Sequence, residues 1–214
     1  MTGERRKFRR EGEEVRREAL ISASLSLASR GGAEALTVRA IAEQAGVTQG
    51  LIRHYFHSKE DLTRAAYAAL MDRMIRTSDA LLAEAPAEPA ARLASFVSAS
   101  LRPPVMDTEE LVLWAAFLHR LRADPEMRTV HETRYLAFRD RLQALIAAAL
   151  PAGTAPQTLR ARAIACNAVI DGLWLEGSAL PEAFDTDEIL TIGLTSVGAI
   201  VGLDLIPYLP EAAA

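Results

Sequence analysis

With 214 residues, half of them apolar, the chain has room for one large or two small globular domains and enough material for a core. A single cysteine, Cys166, excludes an intramolecular disulfide; no secretory signal pattern opens the chain, and its longest apolar stretch, Ile189 to Leu203, is shorter than the roughly 20 residues of a membrane span. A cytoplasmic protein is expected, and the net charge of −4 excludes general affinity for nucleic acid except at one end: residues 1–60 hold 11 Lys and Arg against 8 Asp and Glu, residues 61–214 hold 13 against 20.

An all-α fold is expected, because Ala, Leu, Arg and Glu dominate nearly every segment and alternating strand patterns are hard to find. A first helix is expected from about Glu11 to Arg30, with Ile21, Leu25 and Ala28 on one face and Gly31-Gly32 as its stop. The basic run Arg5 to Arg10 ahead of it reads either as a solvated tail or as an arm that follows phosphates or enters the minor groove. Two short helices follow, about Thr37–Gln44 and Thr48–Phe56, then a long one that Ser58 caps, with Asp61 at capping-box spacing, running to about Ala85. Five more are expected at about Glu88–Leu101, Thr108–Ala123, Pro125–Leu150, Pro156–Leu180 and Asp185–Leu205. Asp124-Pro125 supplies a cap and a first-turn proline, and Asp185 with Glu188 a second capping box.

The two short helices carry the clearest chemistry. Val38, Ile41, Ala42, Val47, Leu51 or Ile52, and Phe56 fit a shared core, with Gly46 where the turn needs a left-handed backbone, which is helix-turn-helix organisation. Thr37 and Thr48 stand at helix starts, where hydroxyl and helix dipole suit a phosphate. Gln49 offers a bidentate partner for adenine, and Gly50 lets the backbone approach a base. Arg39, Arg53, His54, Tyr55 and Lys59 add donors around that end.

The stretch TVRAIAEQAGVTQGLIRHYFHSKEDL resembles the DNA-binding signature of the tetracycline-repressor (TetR) family: a Thr-led helix, Ala-Gly-Val-Thr, Gly two residues on, Tyr-Phe, and a Ser-Lys start to the fourth helix. The resemblance implies that Thr37, Thr48, Tyr55 and Lys59 hold phosphates while Gln49, Gly50 and Arg53 face bases. Arg53 departs from the aromatic residue frequent there, leaving open whether it reads guanine or holds a phosphate. A three-helix DNA-binding domain over residues 1–60 and a helical ligand-binding and dimerisation domain over 61–214 are expected.

A lone helix-turn-helix binds one half-site weakly, so a homodimer on a palindromic double-stranded DNA operator is expected. The last two helices, with Ile164 to Trp174 on one and Gly193, Gly198 and Gly202 on the other, are the candidate interface, and the family resemblance implies the same pair. Between the two ends, Trp114, Phe117, Leu118, Tyr135, Phe138, Asn167, Asp171 and Trp174 are the candidate lining of a small-molecule site. Leu111, Trp114, Leu118 and Leu121 share a stripe, and Asn167, Asp171 and Trp174 share a face. Asp171, a carboxylate on an apolar helix, needs a partner, for which a salt bridge or a capping contact across the dimer is the plain reading.

The segments LWAAFLHRLRADPEMRTVHETRYLAFRDRL and VIDGLWLE resemble the BetI-type, choline-responsive repressors of that family. Aromatic rings and a carboxylate suit an organic cation; His119, His131 or Arg134 would suit a neutral or anionic effector instead. No catalytic centre, metal site or cofactor is expected, since nucleophile elbow, phosphate loop and metal-ligand spacing are all missing. The alternative is a helical adaptor with a vestigial DNA-binding motif.

Overall fold

A computed structural model describes residues 2–103, 105, 113–115, 117–185 and 187–209, and every regular element among them is helical. The helices are α1 (Thr2–Gly31), α2 (Val38–Gln44), α3 (Gln49–Tyr55), α4 (Lys59–Ala83), α5 (Pro89–Ser100), α6 (described residues 113–115 and 117–118), α7 (Pro125–Ala149), α8 (Pro156–Ala179) and α9 (Glu188–Val201). They sort into two compact units, Met1–Leu70 with Val112–His131 and Met71–Leu111 with Glu132–Ala214. The start expected at Thr108 for the sixth helix lies outside the described residues.

In the first unit, α1 begins well ahead of the expected Glu11, because Arg, Lys and Glu dominate those residues and no proline interrupts the backbone. It stops at Gly31 as expected and packs against α2, burying Leu20, Leu25 and Ala28. Thr37 caps α2 from an extended conformation, its Oγ1 accepting the Ala40 N–H at 3.1 Å. Gly46 turns the chain at φ 65°, a left-handed backbone that costs an L side chain about 1–2 kcal/mol. The turn closes when the Val47 N–H bonds the Ala42 carbonyl at 2.9 Å. Ile41, Ala42, Ile52 and Phe56 are buried, so Ile52 rather than Leu51 faces the core. The Arg17 guanidinium lies 5.1 Å from the centre of the Phe56 ring.

The start of α4 is held from two sides. Ser58 Oγ accepts the Asp61 N–H at 3.0 Å, forming the expected cap. Arg64 then binds Asp61 (2.6 Å), Asp124 (3.0 Å) and Glu126 (2.8 Å), while Asp124 also caps α7 through the Met127 N–H at 2.9 Å. One turn on, the Tyr67 hydroxyl bonds His131 Nδ1 at 2.6 Å.

The core of the second unit comes from α5 (Leu93, Phe96, Val97), α7 (Leu142, Ile146), α8 (Cys166, Ile170) and α9 (Leu194, Val197). Asp72–Arg134 and Asp79–Arg141 ion pairs tie α4 to α7 at 2.9 and 2.8 Å. α9 is shorter than the expected Asp185–Leu205 at both ends. Its capping box is only half formed, Glu188 Oε2 accepting the Asp185 N–H at 3.2 Å, and Gly202 ends it in the left-handed region at φ 77°.

Two glycines expected at a subunit interface serve packing inside the chain instead. A Cβ on Gly193 would stand 2.1 Å from Leu101 Cδ1, and one on Gly198 would stand 2.5 Å from the Leu203 carbonyl oxygen. The face that α8 leaves exposed is Ile164, Ala168, Gly172, Leu175 and Ala179, and on α9 it is Thr191, Ile192, Thr195 and Ala199.

Candidate DNA-binding surface and effector cavity

The polar residues of the helix-turn-helix share its outer surface because its apolar ones turn inward at helical spacing. Thr37, Arg39, Thr48, Gln49, Gly50, Arg53 and His54 are exposed, and Tyr55 and Lys59 are half-buried. Gln49 and Arg53 are one turn apart on α3, hence on one face, and so are Gly50 and His54. Thr48 differs from Thr37. Its backbone is extended, as a cap requires, but its hydroxyl caps nothing and stays available at the N-terminus of α3. Among the described residues neither Arg39 nor Arg53 has a carboxylate partner, and Lys59 has only the distant Glu60 at 3.9 Å. The His54 ring meets Tyr55 edge-on at 5.1 Å. This surface therefore offers exposed donors and uncompensated positive charge beside a helix N-terminus, which suits a phosphate backbone flanking base edges.

The second unit encloses a cavity of about 10 Å³, room for about one water. It is lined by Met71, Met74, Ile75 and Ser78 of α4, Val105, Tyr135 and Phe138 of α7, and Asp171 and Trp174 of α8. Four of the eight expected effector residues, Tyr135, Phe138, Asp171 and Trp174, thus come together. Asn167 stands one turn before Asp171 on α8, buried at 2% exposure, and bonds two of the lining residues. Trp114, Phe117 and Leu118 are not among the lining residues and belong to the first unit, where Phe117 packs 5.1 Å from Tyr67. Of the polar alternatives, His119 is exposed, His131 bonds Tyr67 and Arg134 pairs with Asp72. The four lining residues from α4 and Val105 carry no signal in the sequence beyond an apolar stripe at helical spacing.

The partners of Asp171 are neither a salt bridge nor a capping group. Tyr135 donates its hydroxyl proton to Asp171 Oδ2, and Asn167 Nδ2 donates both to that oxygen (2.9 Å) and to the Tyr135 hydroxyl (2.6 Å). Burial pushes the Asp171 carboxyl above its ordinary range, and the Tyr135 and Asn167 hydrogen bonds offset part of the rise. The same burial, with the Asp171 charge beside it, pushes the Tyr135 phenol up. Trp174 directs its indole N–H to the Ser100 carbonyl at 2.7 Å, and its ring lies 6.2 Å from that of Phe138. The cavity is apolar apart from Ser78, whose hydroxyl bonds back to the Met74 carbonyl, and the polar pair Tyr135 and Asp171.

Comparison with known proteins finds a family match for each part of the chain. Residues 20–66 match the model of bacterial regulatory proteins of the tetR family, and residues 89–202 match the BetI-type transcriptional repressor C-terminal domain. The HTH-type transcriptional regulator BetI of Burkholderia thailandensis is 29% identical over 179 residues, covering 84% of this chain and 90% of that protein. A solved structure described as a transcriptional regulator from Pseudomonas aeruginosa PAO1 is 30% identical, covers 91% of this chain and 94% of its own, and superposes with a TM-score of 0.80. A regulator from Saccharomonospora viridis, solved in complex with choline, shares the fold at a TM-score of 0.72 and 20% identity, covering 83% and 92%. Among the described residues no helix is long and apolar enough to cross a membrane. The chain belongs to the TetR family of bacterial transcriptional regulators, with an N-terminal helix-turn-helix DNA-binding domain and a C-terminal ligand-binding domain of the BetI repressor type.

Proposed function

We propose that the protein is a homodimeric repressor that binds a palindromic operator through α3 and releases it when an organic cation enters the cavity beside Asp171. The observation that carries the effector half is a half-buried carboxylate flanked by Trp174, Phe138 and Tyr135 with no Arg or Lys paired to it among the described residues. Such a site stabilises a positive charge through both the carboxylate and the ring faces. The exposed apolar stripes of α8 and α9 support the dimer, since Ile164, Leu175 and Ile192 stand 41%, 57% and 39% exposed on helices that pack together. Residues 1–60 then form the DNA-facing part and 61–214 the effector and dimer part.

At about 10 Å³ the cavity does not hold an organic cation without moving its walls. Met71 and Met74 are unbranched and yield most readily, and both lie on α4, which begins shortly after the recognition helix ends. Widening the cavity thus displaces the helix that leads to α3. Release follows if the cation binds better to the arrangement that fits DNA worse.

The test is selection of bound sites from random duplex DNA. A two-fold symmetric site with half-sites about 34–36 Å apart is expected, its enrichment lost in a Gln49→Ala, Arg53→Ala double variant that remains dimeric. No enriched site, and no effect of the double variant, would instead establish the adaptor reading.

A further inference from the structure

Resting on the reading of the cavity as the effector site, we propose that the effector is a cation with N–H donors, a protonated amine, rather than a fully alkylated ammonium, because the cavity network has spent its donors and kept its acceptors. The Tyr135 hydroxyl has one proton, and Asp171 Oδ2 receives it. Asn167 has two amide protons, one on the Tyr135 oxygen and one on the same carboxylate oxygen. That amide is oriented by chemistry: turned over, Asn167 Oδ1 would face Asp171 Oδ2 and the Tyr135 oxygen, whose one proton already goes to Asp171. Its Oδ1 is therefore left buried with no hydrogen-bond partner, and Asp171 Oδ1 accepts no hydrogen bond from a described residue. Ser78 adds no donor, since its proton goes to Met74, and the Trp174 indole N–H goes to Ser100.

Charge and aromatic faces attract any organic cation equally; hydrogen-bond donors do not come with all of them. A protonated amine places its N–H groups on the Asp171 carboxylate, which lines the cavity and whose Oδ1 accepts from no described residue. A quaternary ammonium brings the same charge, buries the acceptors and satisfies none, and sites built for hydrogen bonding discriminate strongly against a ligand that lacks the donor.

The experiment is calorimetric titration of the wild-type dimer with propylammonium and its N-methyl, N,N-dimethyl and N,N,N-trimethyl derivatives. Each methyl adds similar bulk, whereas the last N–H disappears only at the final step. The expected result is a mild decline across the first three and a loss of about tenfold or more between the dimethyl and trimethyl compounds. A smooth decline, or tighter binding of the trimethyl compound, overturns the proposal while leaving the cation reading standing. Absence of binding by all four to protein that still selects its operator overturns both.

Discussion

Asp171 is where stability and binding oppose each other. Burial holds its proton to higher pH than the ordinary 3.8 of the unfolded chain. Over that window the native state binds more protons than the unfolded one, so stability falls as pH rises through it. Asp171→Asn keeps an oxygen to accept from Tyr135 and Asn167 and removes the half-buried charge. The variant is expected to melt above wild type at neutral pH, with the gap closing below the ordinary carboxylate range; a lower melting temperature at neutral pH would show that the charge is compensated. Arg53 is the corresponding test at the DNA surface. It has no carboxylate partner among the described residues, which leaves it available to either a base or a phosphate, and the face of α3 that it shares with Gln49 favours a base edge. Arg53→Ala is then expected to cost about 1–3 kcal/mol at one position of each half-site and to relax specificity there. A phosphate clamp would weaken all sites alike and lower the slope of log affinity against log salt by about 0.9 per contact.

Among the elements, α2 and α3 start with the same residue type used in two ways. The Thr37 hydroxyl is committed to the Ala40 N–H, while that of Thr48 is not used within the chain. Thr37→Ala is expected to lower unfolding free energy by about 1 kcal/mol, and Thr48→Ala to leave it within about 0.5 kcal/mol while weakening operator binding; chemical denaturation beside a DNA titration separates them. α4 and α7 are joined in the first unit by Arg64, whose partners Asp61 and Asp124 both lie below the ordinary carboxylate range. For Asp61 the main cause is the Arg64 hydrogen bond. For Asp124, burial pushes up but is outweighed by the Met127 N–H and Arg64. Depressed folded values mean stability that is present above the ordinary carboxylate value and lost as pH falls through the folded ones. Arg64→Ala is expected to cost on the order of 1 kcal/mol at neutral pH and to flatten the acid limb of a melting temperature against pH profile.

For the whole molecule the question is how an event beside Asp171 reaches Gln49. α4 and α7 contribute residues to both units, and α4 carries Met71 and Met74 of the cavity wall as well as Lys59 and Arg64. Coupling between effector and operator is expected at about 1–3 kcal/mol, a loss of roughly 5–150-fold in operator affinity at effector saturation. It must be measured at one salt concentration because phosphate contacts make affinity steeply salt-dependent. Asp171→Asn is expected to bind the operator as wild type does and to show no release by propylammonium. Equal operator affinity with and without saturating propylammonium in the wild type would mean that the two sites are not coupled through this ligand.

Whatever depends on neighbours along the chain can be read from the residues alone. Thr37, Gly46, Thr48 and Ser58 mark helix ends and a turn through their own backbone and hydroxyl chemistry, so the helix-turn-helix and its outward residues were legible before any folding. Periodicity likewise placed Asn167, Asp171 and Trp174 on one face of α8. Which aromatic residues meet that face depends on how the helices pack. Trp114 and Phe117 read as well as Tyr135 and Phe138 on their stripe, yet they fill the first unit, because a helical stripe says that a face is buried and not against what. The Tyr135 contact to Asp171 spans 36 residues and the Met71 wall stands 100 residues before Asp171, separations over which no local pattern carries information. Only the folded chain also shows that Gly193 and Gly198 are small for Leu101 and Leu203 of the same subunit, since a small residue records a close approach without naming the partner.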